Sequence, residues 1–177
     1  YVTIENTLRN VAGEERSLLV ARAVQREVQM NEGQVVVHNT TETVFQPHSG
    51  MIGPRGIGRT STYGDEVMCA ASGPHANAMA REEAGVALGS ELIGERTITL
   101  HRALDLRGDA WTQLHTALGV DADAIVLPTD YRIPQMIGDA AQRLGFDGII
   151  RPSAIAVDSR ASEFADTFVV DMLRALP

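Results

Sequence analysis

The sequence predicts an α+β fold, and three observations lead to this prediction. Short apolar or β-branched runs are scattered among short amphipathic segments, without the regular alternation of strand and helix that marks a doubly wound parallel sheet. The chain has 177 residues and 44% hydrophobic composition, which suffices for one core of ordinary size. Its glycine-rich stretch matches neither G-x-G-x-x-G nor G-x-x-x-x-G-K-[ST], so a classical dinucleotide-binding or phosphate-loop fold is not indicated.

The N-terminal part of the chain predicts an amphipathic helix over Glu14–Met30. Apolar residues recur there at three- and four-residue spacing, with arginines between them. Asn31 and Gly33 follow, and both residue types tolerate the left-handed conformation that ends many helices. We therefore divide the chain into residues 1–33, a helix that either packs on the core or links it to a larger protein, and residues 34–177, the main domain.

Short strands around a long loop are predicted next. Val35–Val37 is a β-branched run that places His38 at a strand end. Residues 47–58 hold four glycines and two prolines, which favours a loop. After this loop, Arg59–Tyr63 and Val67–Ala71 are predicted to form a pair of strands.

The second half of the chain predicts three helices and four strands. The helices are His75–Leu88, Trp111–Leu118 and Asp130–Leu144, and the last two end at Gly119 and Gly145. The strands are Thr97–Leu100, Ala103–Leu106, Phe146–Ile150 and Thr167–Leu173. We find no internal repeat among these segments.

Composition and charge disfavour several classes of function. A net charge of −8 opposes broad contact with a phosphate backbone, so no nucleic-acid partner is expected. No apolar run is long enough to span a bilayer, so no membrane partner is expected either. The expected location is the cytoplasm, or a target cell's cytoplasm after delivery within a larger protein. One cysteine, and five histidines without an H-E-x-x-H pattern, predict no metal site.

Glu83 is a carboxylate on an otherwise apolar helical face. Its neighbours three and four positions away are Met79, Ala80, Val86 and Ala87. Either this face is only partly buried and Glu83 pairs with a basic residue, or the carboxylate lines a cleft, where it stabilises a cation or accepts a proton. Glu82 is the alternative for that role, since a shift of one position changes which side chain points inward.

Polar side chains at two predicted strand ends are further candidates. The segment Arg151–Ala154 (RPSA) places Ser153 where a strand leaves the sheet, either as a turn residue or as a hydroxyl that orients a ligand. His38, with the hydroxyl of Thr40 close by, offers donors and an acceptor to a nucleotide, although a structural hydrogen bond explains it equally well. Arg59, beside the glycine-rich loop, either clamps a pyrophosphate or is simply solvated.

The order of these elements resembles that of the RES domain. Residues 103–120 (ALDLRGDAWTQLHTALGV) and 129–155 (TDYRIPQMIGDAAQRLGFDGIIRPSAI) resemble its C-terminal part, where a Leu-Asp-Leu strand and a helix precede a Gly-aromatic-Asp-Gly strand that ends in Pro-Ser-Ala. Residues 67–85 (VMCAASGPHANAMAREEAG) resemble its strand and helix that supply a glutamate, with Glu83 in the Ala-x-x-Glu spacing. The resemblance covers roughly residues 35–173.

The resemblance implies a fold and an activity. RES domains are toxins of toxin–antitoxin systems, similar in fold to diphtheria-toxin-like ADP-ribosyltransferases. A split β-sheet core of the ADP-ribosyltransferase type with peripheral short helices is thus implied, with NAD as the substrate and its nicotinamide–ribose bond as the bond that is cleaved. The implied products are those of NAD hydrolysis or of ADP-ribose transfer to a protein, and the implied partners are that acceptor and a neutralising antitoxin or immunity protein.

By position, the resemblance also implies roles for individual residues. Glu83 and Ser153 correspond to the catalytic glutamate and serine of the family. Either His38 or Arg59 takes the place of the family's arginine and holds the ribose or the pyrophosphate. Tyr63 is placed to stack on nicotinamide, and the other residues assigned to NAD contacts are Thr40, Ser61 and Arg151.

Two other functions compete with NAD cleavage. A non-catalytic binding or assembly module would dock a partner through the predicted helix Glu14–Met30. RNA 2′-phosphotransferase-like chemistry on a related fold is the third hypothesis, and the acidic balance of the chain counts against it. The sequence favours NAD cleavage.

Overall fold

The computed structural model of the chain describes residues 2–25, 29–31, 34–36, 68–84, 91–120, 132–152 and 166–174. These ranges contain both helices and strands, so the predicted α+β class is confirmed. The helices are α1 (Val2–Arg9), α2 (Ala76–Ala84), α3 (Asp109–Leu118) and α4 (Arg132–Arg143). The strands are β1 (Glu14–Gln25), β2 (Gln29–Asn31), β3 (Gln34–Val36), β4 (Met68–Ser72), β5 (Glu91–Asp105), β6 (Gly148–Pro152) and β7 (Phe168–Met172).

Five of the strands form a closed barrel in the order β1-β4-β7-β6-β5, while β2 and β3 form a separate two-stranded sheet. Neighbouring barrel strands run antiparallel, except that β5 and β6 are parallel. The seam between β1 and β5 is long, with Arg16 opposite Leu100 and Gln25 opposite Glu91. The barrel closes between β1 and β4, where Ala21 lies opposite Ala71 and the hydroxyl of Ser72 donates to the carbonyl of Leu19 at 2.8 Å.

The predicted helix over Glu14–Met30 is wrong, because residues 14–25 form β1. This strand is covered on both faces only in its second half, since residues 20–23 are buried whereas residues 14–19 are exposed or half-buried. Val20 packs in the barrel interior, whereas Ala21 and Ala23 pack under α2 on the outside. Because both faces of residues 20–23 are buried, the apolar residues there do not mark one face of a strand, and a helical spacing can be assigned to them as well. The N-terminal helix of this chain is instead α1, which precedes β1.

The core consists of three packed layers. The barrel interior is filled by aliphatic side chains, namely Val20, Ala70, Ile98, Leu100, Ala103, Ile150, Val170 and Met172. On one outer side α1, α3 and α4 pack together through a cluster that includes Ile4, Leu8, Leu114, Ile137 and Phe146. On another side, Met79 and Ala80 of α2 lie against the alanines of β1 and β4. The helices therefore cover the outer side of the barrel only in part, because Leu19 and Thr97, which lie opposite each other in β1 and β5, are exposed.

Most other predicted elements are confirmed within the described ranges. The strand predicted at Val35–Val37 corresponds to β3, and that at Val67–Ala71 to β4. The strands predicted at 97–100 and 103–106 belong to one long strand, β5, and those at 146–150 and 167–173 correspond to β6 and β7. The three predicted helices are α2, α3 and α4. Residues 47–58, the strand predicted at 59–63 and the end of the first of those helices lie outside the described residues.

The glycines predicted to end two helices do so. Gly119 follows α3 with φ of 66°, and Gly145 follows α4 with φ of 88°. Both are left-handed conformations, in which glycine is favoured because it lacks a Cβ. Among the helices of the described segments, none is both long and apolar enough to cross a membrane.

Candidate functional site

The carboxyl ends of β4, β5 and β6 lie at one end of the barrel. Ser72, the last residue of β4, and Pro152, the last residue of β6, both lie opposite Phe168, the first residue of β7. Strand β5 runs parallel to β6, so Asp105 at its end lies at the same level of the barrel. The ends of these three strands therefore lie on one side of the barrel, which we call the groove end.

A groove of about 550 Å³ opens at the groove end, between the α1–β1 connection and the start of α3. Its lining is largely polar. The charged residues in it are Glu14, Arg16, Asp105, Arg107 and Asp109. A volume of this size falls in the range of small-molecule sites in proteins, so the groove is a candidate binding cleft.

Asp105 and Arg107 form a fixed ion pair in this groove. The backbone N–H and Nε of Arg107 donate to Oδ1 of Asp105 at 3.0 and 2.9 Å, and Nη2 donates to Oδ2 at 2.8 Å. Burial alone would raise the pKa of Asp105, but the hydrogen bonds from Arg107 outweigh it and hold that pKa below its ordinary value. The same hydrogen bonds raise the pKa of Arg107. Asp105 is consequently an ionised structural partner at neutral pH and not a proton donor.

Arg107 also lies on an aromatic ring. Its Cζ atom is 4.2 Å from the centroid of Phe168, within the range of a cation–π contact. Sequence reasoning did not single out Asp105 or Arg107. A sequence signal for this pair was present in the run Asp105–Asp109 (DLRGD), where three charged residues occur at two-residue spacing from the end of a strand. Two of these charged residues, Asp105 and Arg107, form the ion pair at the strand end.

Arg151, predicted from the sequence to contact NAD, is paired with Asp171 in the structure. Nε of Arg151 donates to Oδ2 of Asp171 at 2.6 Å and Nη2 donates to Oδ1 at 3.2 Å. Both side chains are buried, and the pair links β6 to β7. Asp171 was missed by the sequence analysis, although an acid inside the apolar run Phe168–Met172 requires a buried partner. A contact of Arg151 with NAD stays a prediction.

Glu83, the predicted catalytic residue, is in the last turn of α2. The start of α2 is held at the groove end, because the backbone N–H of His75 donates to Oγ1 of Thr167 at 3.2 Å. At a rise of 1.5 Å per residue, the backbone of Glu83 lies roughly 10 Å along the helix axis from Ala76. Glu82, the alternative, precedes it in the same turn.

The other predicted site residues lie outside the described residues. Ser153 comes directly after the last residue of β6. The predicted site residues of the strand end and the loop region also lie outside the described residues, namely His38, Thr40, Arg59, Ser61 and Tyr63. The structure thus brings the beginning of α2 and the end of β6 to one end of the barrel, and the contacts among these side chains stay predictions.

No protein-family model matches this chain, and no curated protein resembles it significantly. The resemblance to RES domains therefore rests on the motifs quoted from the sequence. Among the described residues, no group of three or more histidine, cysteine or acidic side chains has the geometry to hold a metal ion. One described histidine ring has a structural setting, since Nδ1 of His115 is 3.2 Å from the carbonyl of Val120.

Proposed function

We propose that this protein cleaves the nicotinamide–ribose bond of NAD, either by hydrolysis or by transfer of ADP-ribose to a protein. The sequence resemblance to RES domains motivates the proposal. The observation that carries it furthest is that Ser72 and Pro152 flank Phe168, so that the helix bearing Glu83 and the segment opening with Ser153 start from the same end of the barrel. The proposal includes the finer fold, in which the barrel strands correspond to the split β-sheet core of an ADP-ribosyltransferase.

The proposed chemistry needs one well-placed carboxylate. The bond between the nicotinamide nitrogen and C1′ of the ribose breaks, and its electron pair leaves with neutral nicotinamide. Positive charge then develops on the ribose, and the carboxylate of Glu83 stabilises it. Water or a nucleophile of the acceptor protein attacks C1′ and loses a proton, which the same carboxylate is suited to accept.

The remaining predicted residues have binding roles in this proposal. Ser153 orients the nicotinamide side of the substrate, and Tyr63 stacks on the ring. His38 or Arg59 holds the adenosine ribose or the pyrophosphate, with hydroxyls from Thr40 and Ser61 nearby. The ion pair of Arg151 with Asp171 fixes the strand end that Ser153 follows, so Arg151 serves the site through the position of β6.

Release of nicotinamide from NAD, followed by chromatography, tests the proposal. Glu83→Gln keeps the size of the side chain and removes its charge, so we expect turnover to fall by about 100-fold or more while the circular dichroism spectrum is unchanged. Glu82→Gln, on the same helical turn, distinguishes the two candidates: turnover should stay within a few-fold of wild type if Glu83 carries the chemistry, and should fall instead of that of Glu83→Gln if Glu82 does. Mass spectrometry of added proteins then separates ADP-ribose transfer from hydrolysis.

Two results would overturn the proposal. One is an absence of nicotinamide release at micromolar protein over hours. The other is full turnover by both Glu83→Gln and Glu82→Gln. The competing hypothesis of a binding module required a docking helix over Glu14–Met30, but residues 14–25 of this segment form β1 and pair with β5.

A further inference from the structure

The arginines of the groove are already engaged by carboxylates. Arg107 is held by Asp105 through three hydrogen bonds, and a guanidinium N–H of Arg16 donates to the carboxylate of Glu14. Asp109 is the third acid in the lining, and no described residue pairs with its carboxylate. Three carboxylates and two guanidiniums give the charged lining a net charge of −1. A phosphate would meet cations that are already neutralised and a carboxylate that repels it.

The guanidinium of Arg107 is held on one face and along one edge. Its Cζ atom lies 4.2 Å from the centroid of the Phe168 ring, and Arg107 lines the groove whereas Phe168 does not. The edge carrying Nε and Nη2 is bonded to Asp105. With one face and one edge fixed, the plane cannot rotate freely, and a planar guanidinium stacks well on aromatic ring systems. The groove side of Arg107 is thus a stacking surface for a flat ligand ring.

Hydrogen-bonding groups surround this stacking surface. Asp109 and Gln113 are four residues apart in α3, so they share one helical face, and both line the groove. Asn10, from the end of α1, also lines it; its Nδ2 donates to the carbonyl of Asn6 at 3.2 Å, which leaves its amide oxygen as an acceptor. Carboxylate and amide groups are the usual partners of vicinal sugar hydroxyls, as in dinucleotide sites where an acid binds the ribose.

We propose that this groove binds a nucleoside, with the base stacked on Arg107 and the sugar hydroxyls bonded to Asp109 and Gln113. A base and a ribose together fit a cleft of about 550 Å³. The identification of this nucleoside as the adenosine half of NAD rests on the proposed function, whereas the nucleoside site itself rests on the groove. The carboxyl end of β6, which Ser153 follows in sequence, lies at the same end of the barrel.

Titration of ¹⁵N-labelled protein with adenosine, and separately with inorganic phosphate, tests the site. Adenosine should shift the backbone amides of residues 10–16 and 107–113, and phosphate should leave them unshifted at equal concentration. Arg107→Lys keeps the charge but removes the flat surface, and it should weaken adenosine binding about fivefold or more. Gln113→Ala removes one partner of the sugar from an exposed position and should also weaken binding. Arg9→Lys, at an exposed arginine of α1 outside the groove, is the control and should bind as wild type does.

The outcomes separate this inference from the proposed function. Phosphate that binds more tightly than adenosine, or adenosine shifts confined to other residues, would show that the groove is not a nucleoside site. If NAD is cleaved but adenosine does not bind and neither groove variant changes KM for NAD, the inference fails while the function stands. If NAD is not cleaved but adenosine shifts the groove residues and Arg107→Lys weakens those shifts, the nucleoside site stands and the proposed function fails.

Discussion

Removal of either partner of the buried pair Arg151–Asp171 should destabilise the protein strongly. Nε of Arg151 and Oδ2 of Asp171 are 2.6 Å apart, and the two side chains are 9% and 4% exposed. Asp171→Ala therefore leaves a guanidinium in the barrel wall without its carboxylate, in a place that water barely reaches. The loss from such a broken pair is about 3–5 kcal/mol in the free energy of unfolding. For a domain of this size that corresponds to a fall in Tm on the order of 10 °C.

Replacement of both residues by apolar ones should restore most of this stability. In Arg151→Met with Asp171→Leu no buried charge remains, and such replacements of buried pairs are neutral or stabilising within a few kcal/mol. Each residue has interactions beyond this pair, so a double-mutant cycle is needed to isolate the coupling. Urea unfolding followed by circular dichroism of the wild type, both single variants and the double variant gives the four free energies.

Two results would refute this reasoning. Single variants that lose less than about 1 kcal/mol, with a coupling below about 0.5 kcal/mol, would mean that the pair behaves like a solvated surface ion pair. The double variant also tests the role of Arg151 in NAD cleavage. If Arg151 acts only through the position of β6, the double variant should retain nicotinamide release, whereas a direct contact with NAD predicts its loss.

Two further predictions concern the groove end. Pairing with Arg107 lowers the pKa of Asp105, so the stabilisation from this pair is present above the unfolded pKa of about 3.9 and is lost as the pH falls through the lower folded value. The difference in unfolding free energy between wild type and Asp105→Asn should therefore be full at pH 7 and shrink below about pH 4. A difference that does not depend on pH would contradict the pairing. Gly73→Ala should lose about 1–3 kcal/mol, because φ is 118° and an added Cβ would lie 2.5 Å from the carbonyl oxygen of Asp166. Gly108→Ala is the control in thermal unfolding, because a Cβ there meets nothing within 4 Å, and its free energy of unfolding should fall by less than about 1 kcal/mol. Equal losses of stability at the two glycines would rule out the backbone clash at Gly73.

The helices α3 and α4 were predictable because each lies on the barrel with one face exposed. Their apolar residues therefore keep a visible helical period, with Ile137 and Ala141 of α4 buried four positions apart. Their ends were predictable as well, since Gly119 and Gly145 take the left-handed conformation. Local sequence determines both features, so no knowledge of the rest of the chain was needed.

Strand β1 could not be recognised because the burial of its residues depends on distant parts of the chain. Its sequence includes Arg22, which a reader of the sequence assigns to a solvent-facing stripe, yet this residue is only 6% exposed in the structure. Burial lowers the pKa of Arg22, and an electrostatic interaction with Cys69 opposes that shift. The environment of Arg22 depends on strands far along the chain, and sequence periodicity carries no information about them.

The groove as a whole could not be predicted from the sequence, although some of its residues have local sequence signals. Asp105 and Arg107 are two residues apart, and their pairing can be inferred from that spacing at a strand end. Glu14 and Phe168 reach the same region from segments that are distant in sequence. Their meeting depends on the order of strands in the barrel, which a single sequence does not disclose.

The strand order of the barrel has a consequence for how the chain reaches its native state. β7, the last strand in the described sequence, lies between β4 and β6, and β1 pairs with β5 across a long stretch of intervening chain. Contacts between such distant segments form slowly, because a long loop must close before each pairing stabilises it. During synthesis β4 and β6 must remain without their shared neighbour β7 until residues 168–172 have left the ribosome. The protein should therefore fold late and as one unit, and a chain truncated before β7 should be a target for chaperones and proteases.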